Sequence, residues 1–271
     1  MRVHHVGPSA FVHDFVITER YLIVWLAPLQ LDATRLQQGI LPLDAMKWDG
    51  DSPSRLVVID RDRLEIEHVI ECEPDLIFHF ANGWDSGDEI HLHYVKTSFS
   101  RLKYGLSLKF VEEQNLDSSS SYAVLRHIQL QSGRSTLEPI PGDVEFPQID
   151  LRWTGRKHRY AYHLERYEAA ASQRGFNAVQ CTDLVSNTQQ HWVFPSGIEA
   201  EEHVFVPFPG GDQESEGWLV GTGFDSHAGV SFCSVFHAQS IEQGPLAMAY
   251  LDGEVPPCFH GSYVRTLPVC S

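Results

Sequence analysis

Short runs of alternating apolar and polar residues recur along the chain, separated by clusters of glycine, proline, asparagine and aspartate. β-Branched and aromatic residues dominate these runs, which is typical of strands joined by turns. Only residues 167–174, with an alanine run, predict a helix. The chain is therefore predicted to be all-β. The predicted strands are residues 15–25, 55–59, 76–81, 89–95, 123–130, 203–207, 218–222 and 230–236.

The spacing of these strands, roughly 8 to 12 residues, suits a sandwich, a barrel or a propeller, and periodicity alone does not separate them. The longest dense apolar run, residues 21–29, is interrupted by Pro28. A membrane-spanning helix needs roughly 20 apolar residues, so this run is predicted to be a buried strand. Asp14 and Glu19 precede it, a pattern that a secretory signal does not have.

Charge and cysteine content narrow the functional classes. The 271 residues include 20 Lys+Arg and 36 Asp+Glu, and 20 − 36 gives a net charge of −16. Nucleic acid is not expected as a partner, because its affinity comes mostly from clustered cations. Five cysteines, odd in number and without a CxxC pair, predict reduced thiols and a cytoplasmic location.

Among the fifteen histidines, His13, His79 and His260 stand out because their neighbours are apolar or turn-forming. A neutral imidazole in such surroundings needs a partner for each ring nitrogen. A metal ion with a carboxylate behind the ring provides both partners. An ordinary hydrogen-bonded core histidine satisfies the same requirement, so both interpretations remain open at this point.

A competing ligand row is Glu89, His91 and His93, because residues i and i+2 of a strand share a face. The alternative is that these three form a solvent face while Ile90 and Leu92 enter the core, and the alternation favours it. His4 and His5 are adjacent, so they would point in opposite directions in a strand.

Two further acidic residues, Glu145 and Glu202, stand beside apolar strands. The chain has no Gly-x-Ser-x-Gly motif and no glycine-rich phosphate loop, so nothing favours a serine hydrolase or a nucleotide-binding protein.

Six motifs, in the same order along nearly the whole chain, resemble those of the carotenoid cleavage oxygenases. That family includes apocarotenoid and stilbenoid dioxygenases and the retinoid isomerase of the visual cycle. The motifs are His-Asp-Phe at His13, Phe-His-Phe-Ala-Asn-Gly-Trp around His79, Glu-Phe-Pro-Gln-Ile from Glu145, Gly-Arg-Lys-His-Arg-Tyr-Ala-Tyr from Gly155, Glu-His-Val-Phe-Val-Pro from Glu202, and Phe-His-Gly at His260.

The resemblance implies a seven-bladed β-propeller, here incomplete, with about four or five blades in one partial domain spanning residues 1–271. It also implies an Fe(II) held by four histidines, of which His13, His79 and His260 match the second, third and fourth. Glu145 and Glu202 match glutamates that accept hydrogen bonds from the ligand imidazoles.

The activity implied is oxidative cleavage by O2 of a C=C bond in a carotenoid, an apocarotenoid, a stilbenoid or a related apolar alkene. A peripheral membrane contact for substrate uptake is an accompanying expectation. Two alternatives are an isomerase that uses the same iron and a catalytically inactive fragment or binding module.

Two departures from the family pattern accompany the resemblance. The family's first histidine ligand would precede Met1, so an N-terminal segment is expected to be missing. Cys258 replaces the glycine usual before Phe-His-Gly and is expected to restrict the backbone or the access to the metal.

Overall fold

A computed structural model describes residues 11–106, 120–168, 175–252 and 255–264. Strands dominate it, with three short helices, α1 (Ala33–Gln37), α2 (Pro42–Ala45) and α3 (Phe99–Gly105). The strands are β1 (Val16–Ile17), β2 (Tyr21–Leu26), β3 (Leu29–Leu31), β4 (Met46–Trp48), β5 (Ser54–Asp60), β6 (Glu65–Cys72), β7 (Leu76–Ser86), β8 (Glu89–Thr97), β9 (Tyr122–Gln129), β10 (Ser135–Ile140), β11 (Val144–Gln148), β12 (Tyr160–Glu165), β13 (Ala178–Asp183), β14 (Thr188–Val193), β15 (Ile198–Pro207), β16 (Gly217–Asp225), β17 (Val230–His237) and β18 (Pro245–Tyr250).

These strands form four four-stranded sheets and one small pair. The sheet orders are β1-β2-β5-β6, β10-β9-β8-β7, β11-β12-β13-β14, β15-β16-β17-β18 and β3-β4. Each four-stranded sheet has the form of a propeller blade. The all-β prediction is therefore confirmed.

The chain divides into two compact units, Met1–Pro147 with Thr154–Lys157, and Gln148–Trp153 with His158–Ser271. In the first unit the inward-facing residues of the first two four-stranded sheets form an apolar core that includes Ile23, Leu56, Ile90 and Leu92, all fully buried. In the second unit the Phe194 ring contacts the rings of Phe232 and Phe236, with centroids 5.9 and 6.0 Å away.

A buried ionic cluster lies beside the first core. The fully buried guanidinium of Arg126 donates to Glu73 at 2.6 and 3.0 Å and to Asp75 at 2.9 Å. It also donates to the Tyr94 hydroxyl at 2.9 Å, and Lys96 pairs with Asp75. Two carboxylates and two cations thus compensate one another where an isolated charge would be costly.

Several sequence-based predictions of local structure were wrong. The single strand predicted over residues 15–25 is a hairpin, because the Thr18 hydroxyl accepts from the Tyr21 N–H at 2.9 Å and closes a turn between β1 and β2. His13 consequently lies ahead of β1 and not in a strand. His93, assigned to a solvent face, is fully buried.

The helical segments were also predicted incorrectly. The three short helices were missed, because helices of four to seven residues have little periodicity to detect. Of the predicted helix at residues 167–174, residues 167–168 form a turn and the rest lies outside the described residues. Within the described part of the chain, no helix has the length and apolar character needed to cross a membrane.

Candidate metal centre

His79 lies in β7 at a place where the strand leaves regular pairing, since its register with β8 shifts between Ile77 and Phe80. Its imidazole is buried, and Nδ1 lies 2.6 Å from Oε2 of Glu145. A carboxylate oxygen is an acceptor only, so Nδ1 carries the proton. That tautomer leaves the lone pair of His79 on Nε2, as a metal ligand requires.

Glu145 is held in place by the backbone that follows it. Its Oε2 also accepts from the Phe146 N–H at 2.6 Å, and Phe146 has φ +53°. A positive φ is unusual for a bulky residue and costs about 1–3 kcal/mol. Neighbours in a regular strand face opposite sides, but here the Phe146 ring also approaches His79, with a centroid separation of 5.6 Å. The strained backbone thus accompanies a carboxylate aimed at an imidazole.

His13 is brought to His79 by the segment ahead of β1. The His13 ring stacks on Phe78, with centroids 3.8 Å apart and planes 8° from parallel. Asp14 accepts from the Phe80 N–H at 2.8 Å, which ties the His13 segment to β7. His13 and His79 each offer a ligand nitrogen, and these atoms lie within 4.8 Å of each other. Two imidazoles of the first unit can therefore reach one ion.

The Asn-Gly part of the His79 motif has a local structural role. Asn82 accepts from the Gly155 N–H at 3.0 Å and donates to the Arg156 carbonyl at 2.9 Å. Gly83 packs so closely that an added Cβ would meet Val16 Cγ1 at 2.4 Å. These contacts join the His79 motif to residues 155–156 and to β1 within the first unit.

The second unit contains His260 and Glu202. Glu202 is buried, and its Oε2 accepts from the Gly261 N–H at 2.6 Å, while its Oε1 accepts from Gln148 Nε2 at 2.8 Å. The same Oε1 lies 3.3 Å from Nδ1 of His260, whose side chain is half exposed. Glu202 therefore orients the His260 ring in the same way as Glu145 orients His79, through a longer contact.

A bulge in β15 allows two consecutive glutamates to hold the segment that carries His260. The pairing of β15 with β16 shifts between Ala200 and His203. Glu201 accepts from the Cys258 N–H at 3.2 Å, so both glutamates bind backbone N–H groups of residues 258–261. Cys258 is exposed, and its backbone is held by Glu201.

The structure separates the residues of the predicted row: Glu89 and His91 lie together, whereas His93 is buried in the protein interior. His91 faces His127 of β9, with 2.6 Å between their Nδ1 atoms, and Glu89 lies beside them. Burial, with a smaller contribution from His127, lowers the pKa of His91. His93 is buried, and burial lowers its pKa to about 4. Sequence reasoning missed His127, because only the strand register identifies it as the partner of His91.

Comparison with known proteins decides the family. The family model described as RPE65, retinal pigment epithelial membrane protein, matches residues 1–265. The chain belongs to the carotenoid cleavage oxygenase family. The family includes Fe-dependent oxygenases that cleave carotenoids or apocarotenoids with O2, and its iron ion is held by a cluster of histidines.

Two relatives of this carotenoid oxygenase chain and one solved structure illustrate the match. The apocarotenoid-15,15'-oxygenase of Synechocystis is 26% identical over 269 residues, covering 95% of this chain and 52% of the relative. The carotenoid 9,10(9',10')-cleavage dioxygenase 1 of Phaseolus vulgaris is 25% identical, covering 96% and 49%. A solved structure of a glutamate-to-glutamine mutant of the Synechocystis apocarotenoid oxygenase superposes with a TM-score of 0.85 at 25% identity, covering 95% and 53%.

The match to that structure confirms that the chain has part of the family's propeller fold. The chain spans about half the length of the curated relatives that it matches. The prediction of one single domain stays a prediction, as does the iron-binding role of His13, His79 and His260. His4 and His5 lie outside the described residues.

Proposed function

We propose that the protein containing this chain uses Fe(II) and O2 to cleave a C=C bond of a carotenoid, an apocarotenoid or a related apolar alkene. His13, His79 and His260 are the proposed iron ligands, and Glu145 and Glu202 are the proposed orienting carboxylates. The observation that carries the proposal is the 2.6 Å contact between Glu145 and Nδ1 of His79, together with the approach of His13 to His79.

The donor set fits a ferrous ion. Neutral imidazole is a good ligand for iron, and three imidazoles without a ligand carboxylate leave the ion its full charge. When bound, such an ion supplies the reducing power and the open coordination positions that a reaction with O2 requires. Carboxylates behind ligand imidazoles fix the tautomer and aim of each ring, and Glu145 and Glu202 are suited to that task.

The first unit surrounds its two histidines with aromatic rings. Phe11 and Phe78 lie in a parallel stack with His13, and the centroid of the Phe146 ring lies 5.6 Å from that of His79. His79 is buried while His13 is exposed, and the apolar rings beside them offer a surface on which a polyene can lie. These contacts support an apolar alkene as the substrate class.

Iron binding and product analysis test the proposal together. The purified chain is loaded anaerobically with one equivalent of Fe(II), and the bound iron is measured before an apocarotenal is added under ¹⁸O2. We expect tightly bound iron and two carbonyl products that carry the label. His79→Ala is expected to lose the iron, whereas His68→Ala, a half-buried histidine of β6, is expected to keep it.

The other outcomes identify the alternatives. Bound iron without turnover would support an inactive fragment or binding module, and an isomerised polyene without added oxygen would support an isomerase. Failure of the chain to bind iron, or iron that His79→Ala retains in full, would contradict the proposed site.

A further inference from the structure

A second group of metal-binding side chains lies on the sheet formed by β7 to β10 in the first unit. His91 of β8 and His127 of β9 are directly opposite in the strand register. Their rings meet edge to face, with centroids 4.8 Å apart, and their Nδ1 atoms are 2.6 Å apart. Neither residue belongs to the proposed iron site.

A carboxylate lies near Nε2 of each ring. Nε2 of His91 lies 3.5 Å from Oε2 of Glu89, and Nε2 of His127 lies 3.4 Å from Oε1 of Glu138. The four side chains therefore form a row with three junctions: carboxylate to imidazole, imidazole to imidazole, and imidazole to carboxylate. The central junction is at hydrogen-bond distance, so its two nitrogen atoms need a hydrogen or a cation between them, whereas the two outer junctions are charge contacts of 3.4–3.5 Å.

The tautomers of the two imidazoles decide what occupies the central junction. Each neutral imidazole brings one N–H, on either Nδ1 or Nε2. If both Nε2 atoms carry the protons, the two Nδ1 lone pairs face each other at 2.6 Å. A metal cation between the Nδ1 atoms resolves this arrangement, because each lone pair then binds the ion.

We propose that Glu89, His91 and His127 form a binding site for a borderline divalent cation of the Zn²⁺ class, separate from the proposed iron site. The Nδ1 atoms of the two histidines and the Glu89 carboxylate are the ligands, and the Glu138 carboxylate lies 3.4 Å from Nε2 of His127. The three ligand residues offer donor atoms that lie within 4.8 Å of one another.

The local geometry needs only a small adjustment to accept the ion. Zn²⁺ binds imidazole nitrogen at about 2.0–2.1 Å in a tetrahedral site, which places two ligand nitrogens about 3.3 Å apart. The Nδ1 atoms therefore separate by about 0.7 Å, a shift within reach of small side-chain rotations. The Trp84 ring stacks on His91 with centroids 4.8 Å apart, so most of this motion falls to His127.

The surroundings suit a site that exchanges its ion with solvent. The side chains of His91, His127 and Glu89 are 12%, 20% and 32% exposed, so water can complete the coordination. Glu89 Oε1 accepts from Gln129 at 3.2 Å, which steadies the carboxylate.

Zinc binding to the purified chain tests the proposal. ZnCl2 is titrated by equilibrium dialysis into the wild-type chain, His127→Gln, His79→Ala and the control His227→Gln, an exposed histidine of the second unit. We expect His127→Gln to bind one Zn²⁺ fewer than wild type, or to bind it at least tenfold more weakly. His79→Ala and His227→Gln are expected to retain this zinc.

Imidazole ¹⁵N NMR of the wild-type chain gives a second readout that does not depend on a variant folding. We expect two histidine Nδ1 resonances to shift on addition of one equivalent of ZnCl2, while their Nε2 nitrogens stay protonated. A folded His127→Gln chain with unchanged zinc binding would overturn the proposal. Imidazole ¹⁵N resonances of the wild-type chain that do not shift when ZnCl2 is added would also overturn it. Loss of zinc in His79→Ala alone would also overturn it, because the ion would then belong to the proposed iron site.

Discussion

Replacement of Glu145 by glutamine removes one negative charge behind His79 and keeps the size of the side chain. Oε2 of Glu145 accepts from both His79 Nδ1–H and the Phe146 N–H, each at 2.6 Å. Charge-assisted hydrogen bonds of this length are roughly twice as strong as neutral ones. The glutamine carbonyl can accept both donors only as a neutral group, so the imidazole becomes a weaker and less well-oriented ligand.

The expected magnitude follows from what such carboxylates contribute in metal sites. Losing the group behind a ligand imidazole commonly costs 10–100-fold in metal affinity. Tenfold corresponds to about 1.4 kcal/mol, so the range is about 1.4–2.7 kcal/mol. We expect Glu145→Gln to weaken iron binding about tenfold, because an acceptor oxygen remains, and Glu145→Ala to weaken it about a hundredfold.

The assay is an anaerobic Fe(II) titration of the chain in competition with a chelator of known affinity. Glu71→Gln is the matched control, because Glu71 is an exposed residue of β6 in the same unit. Urea unfolding of each metal-free variant separates lost affinity from lost stability. If a stably folded Glu145→Gln chain binds iron within twofold of the wild-type affinity, Glu145 does not have the proposed orienting role.

Three predictions concern the stability of the fold. Asp75→Asn leaves the buried Arg126 guanidinium short of compensating charge, and we expect urea unfolding to show a loss of about 3–5 kcal/mol; an unchanged midpoint would contradict this. Burial lowers the pKa of both His93 and His203 to about 4, so the unfolded state, with an ordinary pKa near 6.5, binds more protons as the pH falls. The free energy of unfolding should therefore decrease from about pH 6.5 to about pH 4, by roughly 2 kcal/mol per histidine at pH 5. Urea midpoints measured at pH 7.5 and pH 5 should differ less in His203→Gln than in wild type. Equal differences in the two proteins would contradict this assignment. Gly221→Ala places a Cβ 2.4 Å from the His203 ring, and the expected result is a lower thermal midpoint with faster amide exchange in β15; unchanged exchange would show that the bulge tolerates the methyl group.

The chemistry of the candidate site was more predictable from sequence than its geometry. The family motifs identified His79 as a ligand and Glu145 as a carboxylate that accepts from a ligand imidazole, without pairing the two, and the structure shows them in contact. The position of His13 was not predictable, because the His13 segment is held by a hydrogen bond from the Phe80 backbone N–H to Asp14. A backbone donor can belong to any residue type, so the sequence does not identify it.

The pairing register between strands was the main feature that the sequence did not predict. Alternation placed Glu89 and His91 on one face correctly, yet it could not show that His127 lies opposite, because pairing across strands depends on turn lengths and bulges. His93 shows the same difficulty. Alternation predicted that His93 faces solvent together with Glu89 and His91, but His93 is buried where the pairing of β7 with β8 is irregular. Local pattern thus identified the strands, while contacts between strands determined the sites.

The most direct test of the proposed iron site is extended X-ray absorption fine structure at the iron edge of the chain loaded anaerobically with Fe(II). Imidazole rings produce characteristic multiple scattering, so the spectrum counts histidine ligands. The account predicts three imidazole nitrogens at about 2.1 Å, a distance typical of imidazole bound to a metal, and one fewer in His260→Ala. An iron ion bound mainly by oxygen ligands, or a spectrum that His260→Ala leaves unchanged, would contradict it.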